Sequence, residues 1–248
     1  MPVETNDFYQ HPAICNLFRQ ELATLAPILA GVYGTTGLFL RAHAAAPDEL
    51  PANLLGNVVS LALDDAQTLC GGLSCAPAEL PLAGESCKLV VVQHLFERLD
   101  DPTPCIGEIA RVLAPEGVLL VLGFNPLSLW RPWLAGTARR ARLPIRVRSA
   151  QSWAVEIGAQ GIDVLQTRYP GAWSPWSASL AEPPTVIGSM PLAWLRGSWL
   201  LLARKRRCVL TPLRLRRDAR ELARNPRLVP GAHRECAHVL APIEEKCA

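Results

Sequence analysis

The chain has 248 residues, half of them hydrophobic, a formal net charge of +3 and eight cysteines. That length supports one hydrophobic core of ordinary upper size, and so small a net charge excludes any global field that would demand a nucleic-acid partner. The cysteines are scattered without a CxxC pair, so they read as free thiols rather than a disulfide framework.

The opening residues, MPVETNDFYQHP, lack a basic stretch followed by an apolar core, and no apolar run reaches the roughly 18 residues of a membrane span. The expectation is a cytoplasmic protein with no membrane partner.

Residues 7–30 carry Phe8, Ile14, Leu17, Phe18, Leu22, Leu25, Ile28 and Leu29 at helical spacing, which predicts one or two helices before the first strand. The first strand is predicted over residues 37–42 and the second over residues 57–63, ended by Asp64 and Asp65. Residues 70–81, CGGLSCAPAELP, should hold a short third strand.

Residues 89–92 form a continuous run of β-branched and aliphatic side chains, as in a strand buried on both faces of a parallel sheet. Asp100, Asp101 and Pro102 open a helix whose apolar Ile106, Ile109, Ala110 and Leu113 share one stripe. Pro115 and Gly117 stop it. Residues 118–124 are a second buried run, broken by Asn125-Pro126. The sum is a strand, helix, strand unit with parallel strands and a right-handed crossover. Ligands of such sheets sit outside the carboxyl ends of the strands, which puts Gln93, His94 and Asn125 at the rim of a pocket.

Six arginines (Arg131, Arg139, Arg140, Arg142, Arg146, Arg148) follow, readable as a solvated surface or as a face for an anionic substrate or RNA. Ser149 caps a helix over residues 149–158, and residues 161–169 alternate as a strand. Residues 170–197 are rich in Pro and Trp, so Trp173, Trp176 and Trp194 are either a packed loop core or an aromatic pocket wall. Residues 198–203 form the last strand.

From residue 208 the composition turns basic, which predicts two parts: a domain over 1–207 and a partly disordered tail over 208–248. That tail is a candidate contact for RNA or an acidic partner. Its His233, Cys236, His238 and Cys247 do not have zinc-site spacing, so no metal is expected.

The words VVVQHLFERLDDP, IGEIARVLAPEG and VLLVLGFNPLSLW resemble the class I S-adenosylmethionine-dependent methyltransferases, in particular a bacterial branch of the methyltransferase type 11 group. The resemblance implies an α/β fold, a Rossmann-like doubly wound sheet of seven mostly parallel strands with an antiparallel last strand. It implies methyl transfer from S-adenosylmethionine to an unidentified small-molecule or macromolecular acceptor, with cofactor contacts at Gly37, Arg41, Asp64, Ala76, Gln93 and His94. His94 is the candidate base and Asn125 the candidate for orienting a substrate.

The chain departs from the family at three places. Residues 43–47 read HAAAP where the family has a glycine-rich loop, Ala76 stands where it has an acid, and Cys87-Lys88 stands where it has an aromatic and Asp. Either the loop is rebuilt or the scaffold has lost its cofactor and binds a partner or RNA through its arginines. A His43 side chain filling the cofactor's space would favour the second alternative.

Overall fold

In the computed structural model, residues 5–64, 67–176 and 192–206 are described. The elements are α1 (Thr5–Gln10), α2 (Pro12–Leu29), β1 (Tyr33–Arg41), β2 (Leu54–Leu63), β3 (Leu69–Gly71), β4 (Ser74–Cys75), β5 (Cys87–Gln93), α3 (Thr103–Val112), β6 (Leu113–Phe124), α4 (Trp130–Arg140), α5 (Ala150–Ala159), β7 (Ile162–Arg168) and β8 (Ser198–Lys205). The tail and its histidines and cysteines lie outside the described residues.

The strands form one sheet in the order β4-β3-β2-β1-β5-β6-β8-β7. Its centre, β2-β1-β5-β6, is parallel. Both flanks are antiparallel: β3 and β4 beyond β2, and β8 and β7 beyond β6. The sheet is therefore Rossmann-like, with eight strands rather than seven. The expected short third strand is β3, which pairs antiparallel with β2 and forms a small hairpin with β4, because the few residues linking β2 to β3 cannot make the crossover of a dozen or more residues that a parallel strand needs.

The strand, helix, strand unit lies at the centre, and its helix opens as read, with Asp101 Oδ1 accepting from the Thr103 amide at 3.0 Å. β1 and β2 begin earlier than the sequence suggested, so Gly34 and Gly37 lie inside β1. A Cβ at Gly37 would come within 2.6 Å of Leu55 Cδ1, and one at Gly34 equally close to Lys88 Cβ. These glycines make room for neighbouring side chains. Gly37, expected as a cofactor contact, lies four residues before the end of β1 and packs against Leu55.

The core has a layer on each face of the sheet. On one face α2 lays Leu22, Leu25 and Leu29 over Phe39, Leu89, Val91 and Leu120. On the other, Ile106 and Ile109 of α3 and Trp153 and Ile157 of α5 pack over Val90, Val92, Leu119 and Leu201. One feature departs from the usual doubly wound pattern. Residues 42–53 join parallel β1 to β2 without a helix, so no helix N-terminus faces the carboxyl end of β1.

Candidate functional site at the carboxyl ends of the central strands

β1 ends in Arg41 and β5 in Gln93, which are register partners. The α2-facing side of this end is filled by a buried polar cluster. Gln93 Nε2 donates to Glu21 Oε2 at 3.0 Å and faces the Phe18 carbonyl at 3.5 Å. His94 bridges two carboxylates, Nε2 to Glu21 at 3.0 Å and Nδ1 to Glu97 at 2.8 Å. Its ring lies between Phe18, 4.6 Å away, and Phe124, 4.0 Å away. Glu97 Oε1 also accepts from the Phe124 amide, tying the bridge to the end of β6.

All three members of the bridge are buried. Burial alone would pull the imidazole pKa down, but the two facing carboxylates outweigh it and raise it to about 10. Burial pushes Glu97 upward, against the pull of His94. His94 also has φ of 55°, a left-handed conformation that costs a non-glycine residue about 1–3 kcal/mol and persists only where surroundings impose it. Held between two carboxylates that favour its protonated form, the imidazole is committed to the bridge.

The proton held by folded His94 makes stability pH-dependent. Its contribution is complete below the ordinary value of 6.5, declines as pH rises from there through about 10, and is gone above it. The raised Glu97 acts in the same direction, since the fold resists its ionisation. Thermal melts should fall between pH 6.5 and 10, and a Glu21→Leu, His94→Leu, Glu97→Gln variant should show a flatter decline over that window. Parallel declines would mean that the bridge does not titrate there.

Arg41 is buried and donates from Nη1 to the carbonyls of Ala44 and Ala46, at 3.3 and 2.6 Å. Burial lowers its pKa, and Asp48 opposes that shift. The loop it holds carries His43, whose ring stacks on Tyr9 of α1 with centroids 4.9 Å apart and planes within 3°. Arg98 lies over the same Tyr9 ring at 5.8 Å.

Asp64 closes the turn into β3, with Oδ1 accepting from the Thr68 amide at 2.7 Å and Oδ2 reached, among the described residues, by Cys70 Sγ at 3.8 Å. Ala76 is exposed in the turn after β4 and offers no side-chain contact. Asn125 is committed as well: its amide nitrogen donates to the carbonyls of Trp194 and Arg196, and its Oδ1 accepts from Leu127. The structure thus brings Arg41, Gln93 and His94 together and leaves Gly37 and Ala76 apart. Glu21 and Glu97, which the sequence reading did not single out, complete the cluster.

Residues 43–121 match the family model described as a methyltransferase domain. Two solved structures share the fold. One, from Thermotoga maritima, is titled a SAM-dependent methyltransferase, possible histamine N-methyltransferase; it matches with a TM-score of 0.52 and 15% identity over 80% of this chain and 93% of its own. The other belongs to a complex of the Trm112 methyltransferase activator and a methyltransferase of Haloferax volcanii, with a TM-score of 0.55 and 17% identity over 82% of this chain and 99% of its own. The fold is the class I methyltransferase fold. No curated protein sequence matches.

On this methyltransferase fold, S-adenosylmethionine would meet the carboxyl ends of β1 and β5. Two buried polar atoms there take no hydrogen bond: Arg41 Nε, a donor, and Gln93 Oε1, an acceptor. Buried polar atoms without partners cost free energy, which makes them candidates for a ligand's groups. A donor beside an acceptor suits the carboxylate and ammonium of an amino-acid end. Asp64 Oδ2 suits a ribose hydroxyl. The residues fit these two parts of the cofactor, while the adenine end receives no acid from Ala76 and loop 42–47 offers no glycine.

Proposed function

We propose that the protein transfers a methyl group from S-adenosylmethionine to an acceptor. The observation that carries this reading is the unpartnered pair Arg41 Nε and Gln93 Oε1 on adjacent central strands of a methyltransferase fold. The family match over residues 43–121 supports it.

When bound, the cofactor supplies an electrophilic methyl carbon. Arg41 and Gln93 would hold its amino-acid end and Asp64 its ribose. Because Arg41 already bonds the carbonyls of Ala44 and Ala46, loop 42–47 must lift for a ligand to reach Nε. His94 keeps its proton and orients Glu97, and through it the end of β6. With His94 charged and the Asn125 amide engaged, the acceptor atom has to be nucleophilic in its own right. Holding it in line with the methyl carbon supplies the main rate gain, since orientation alone is worth about 7–11 kcal/mol.

A second reading is a methyltransferase scaffold without cofactor that binds a partner or RNA through its arginines. Loop 42–47 favours it: Arg41 closes the loop from beneath and His43 stacks on Tyr9 above it. Equilibrium binding of S-adenosylmethionine and its demethylated product to the purified protein separates the two. Saturable binding that an Arg41→Leu, Gln93→Leu variant abolishes supports methyl transfer. Absence of binding at millimolar cofactor supports the scaffold.

A further inference from the structure

Nine large hydrophobic side chains are prominently exposed among the described residues, and five of them belong to three loops at one end of the sheet. They are Leu127 at 63%, Leu129 at 58%, Trp176 at 73%, Leu192 at 49% and Trp194 at 45%. The loops are stitched together. Asn125 donates to the Trp194 and Arg196 carbonyls, Trp130 Nε1 donates to the Ala172 carbonyl at 3.0 Å, and Arg196 Nη1 donates to that of Gly171 at 3.2 Å. Between the two exposed leucines Ser128 points inward, its Oγ donating to the Asn125 carbonyl at 2.7 Å, so the turn drives its neighbours outward.

The described segments that form this apolar tip carry arginines and no carboxylate of their own. Residues 125–149 contain six arginines and no Asp or Glu, and residues 170–176 and 192–197 add no acid. Arg146 pairs with Asp100 and Arg148 with Glu156. Arg131, Arg139, Arg140 and Arg142 are exposed on and just after α4, and no carboxylate among the described residues pairs with them. On the inner side of the same helix Trp130, Leu134 and Ala138 are buried, which fixes the arginine side outward.

We infer that this face lies on the surface of an anionic lipid bilayer, with Leu127 and Leu129 entering the acyl boundary and the arginines of α4 facing the headgroups. Protruding leucines flanked by tryptophans and unpaired arginines suit a boundary that is apolar on one side and negatively charged on the other. Single-stranded nucleic acid would call for aromatic stacking platforms along a basic groove, and here three of the five exposed side chains are leucines. No helix among the described residues is long and apolar enough to cross a membrane, so the contact is one of lying on the surface. The inference goes beyond the proposed reaction and does not depend on it.

The test is co-sedimentation of the full chain with phosphatidylcholine vesicles, with and without phosphatidylglycerol, alongside a Leu127→Ser, Leu129→Ser variant and an Arg139→Ser, Arg140→Ser, Arg142→Ser variant. The wild type is expected to sediment with the anionic vesicles only. The leucine variant should lose about tenfold or more in affinity with an unchanged melting temperature, and the arginine variant should lose binding and its salt dependence. No sedimentation, equal sedimentation with neutral vesicles, or unchanged binding by both variants would overturn the inference. So would tight retention of single-stranded RNA without any vesicle binding.

Discussion

Glu21→Ala is expected to destabilise the protein by about 3–5 kcal/mol, the usual cost of removing one partner of a buried charged pair. For a chain of this size that corresponds to a drop in melting temperature of roughly 6–20 °C. The cost arises because Glu21 answers three groups at once: His94 Nε2, Gln93 Nε2 and, through His94, the carboxylate of Glu97. Without it, His94 keeps a buried positive charge with half its compensation and Gln93 loses its side-chain partner. The companion variant Glu21→Leu, His94→Leu, Glu97→Gln should recover much of the loss, since it removes every charge of the bridge, keeps an acceptor for the Phe124 amide, and an uncharged replacement of a buried ion pair is often close to neutral. Thermal unfolding of the two variants measures both effects. Equal losses in both would mean that the destabilisation comes from packing rather than from the orphaned charge.

Trp199→Ala should cost a similar amount, about 3–5 kcal/mol, from loss of a large buried ring and the cavity it leaves. Trp199 sits on β8 beside β6, and its indole packs on Gly123, where an added Cβ would lie 2.8 Å from Cε2. Its Nε1 bridges the carbonyls of Phe124 and Arg148, at 3.0 and 3.1 Å. Truncation therefore also orphans two carbonyls, one of them at the residue whose amide Glu97 holds. Trp199→Phe keeps much of the ring and loses the bridge, so it should retain more stability than alanine while loosening the exit of β6. A loss from Trp199→Ala below about 1 kcal/mol in denaturant unfolding would refute this placement.

The parts of this fold legible in the sequence are those with continuous local signals. β5, α3 and β6 follow from apolar runs punctuated by Asp-Asp-Pro and Asn-Pro, each signal lying within a few residues of the element it governs. The β3–β4 hairpin was less legible: its Gly71-Gly72 pair marks a turn, but only one short strand was expected over residues 70–81.

The polar cluster was hidden by sequence distance. Gln93 and His94 were placed correctly at the strand end, yet their partner Glu21 lies more than 70 residues earlier. One local clue existed, since Glu21 falls in the stripe formed by Leu17, Phe18, Leu22 and Leu25, and a carboxylate inside a buried stripe needs a partner. The raised pKa of His94 comes from Glu21 together with Glu97, and of these two Glu21 is the one that sequence distance hides.

Arg41 carries the same lesson at the other end of the pair. In sequence it is a cofactor contact implied only by the resemblance, whereas in the fold its guanidinium also supports the loop that stands where the glycine-rich one would be.

The measurement closest to the central claim is calorimetric titration of the full chain with S-adenosylmethionine, repeated on Arg41→Leu, Gln93→Leu with its folding verified by circular dichroism. Saturable heat in the wild type and none in the folded variant is the result expected if the Arg41–Gln93 pair receives the cofactor's amino-acid end. A silent wild type at millimolar cofactor, or equal binding by the variant, would contradict it.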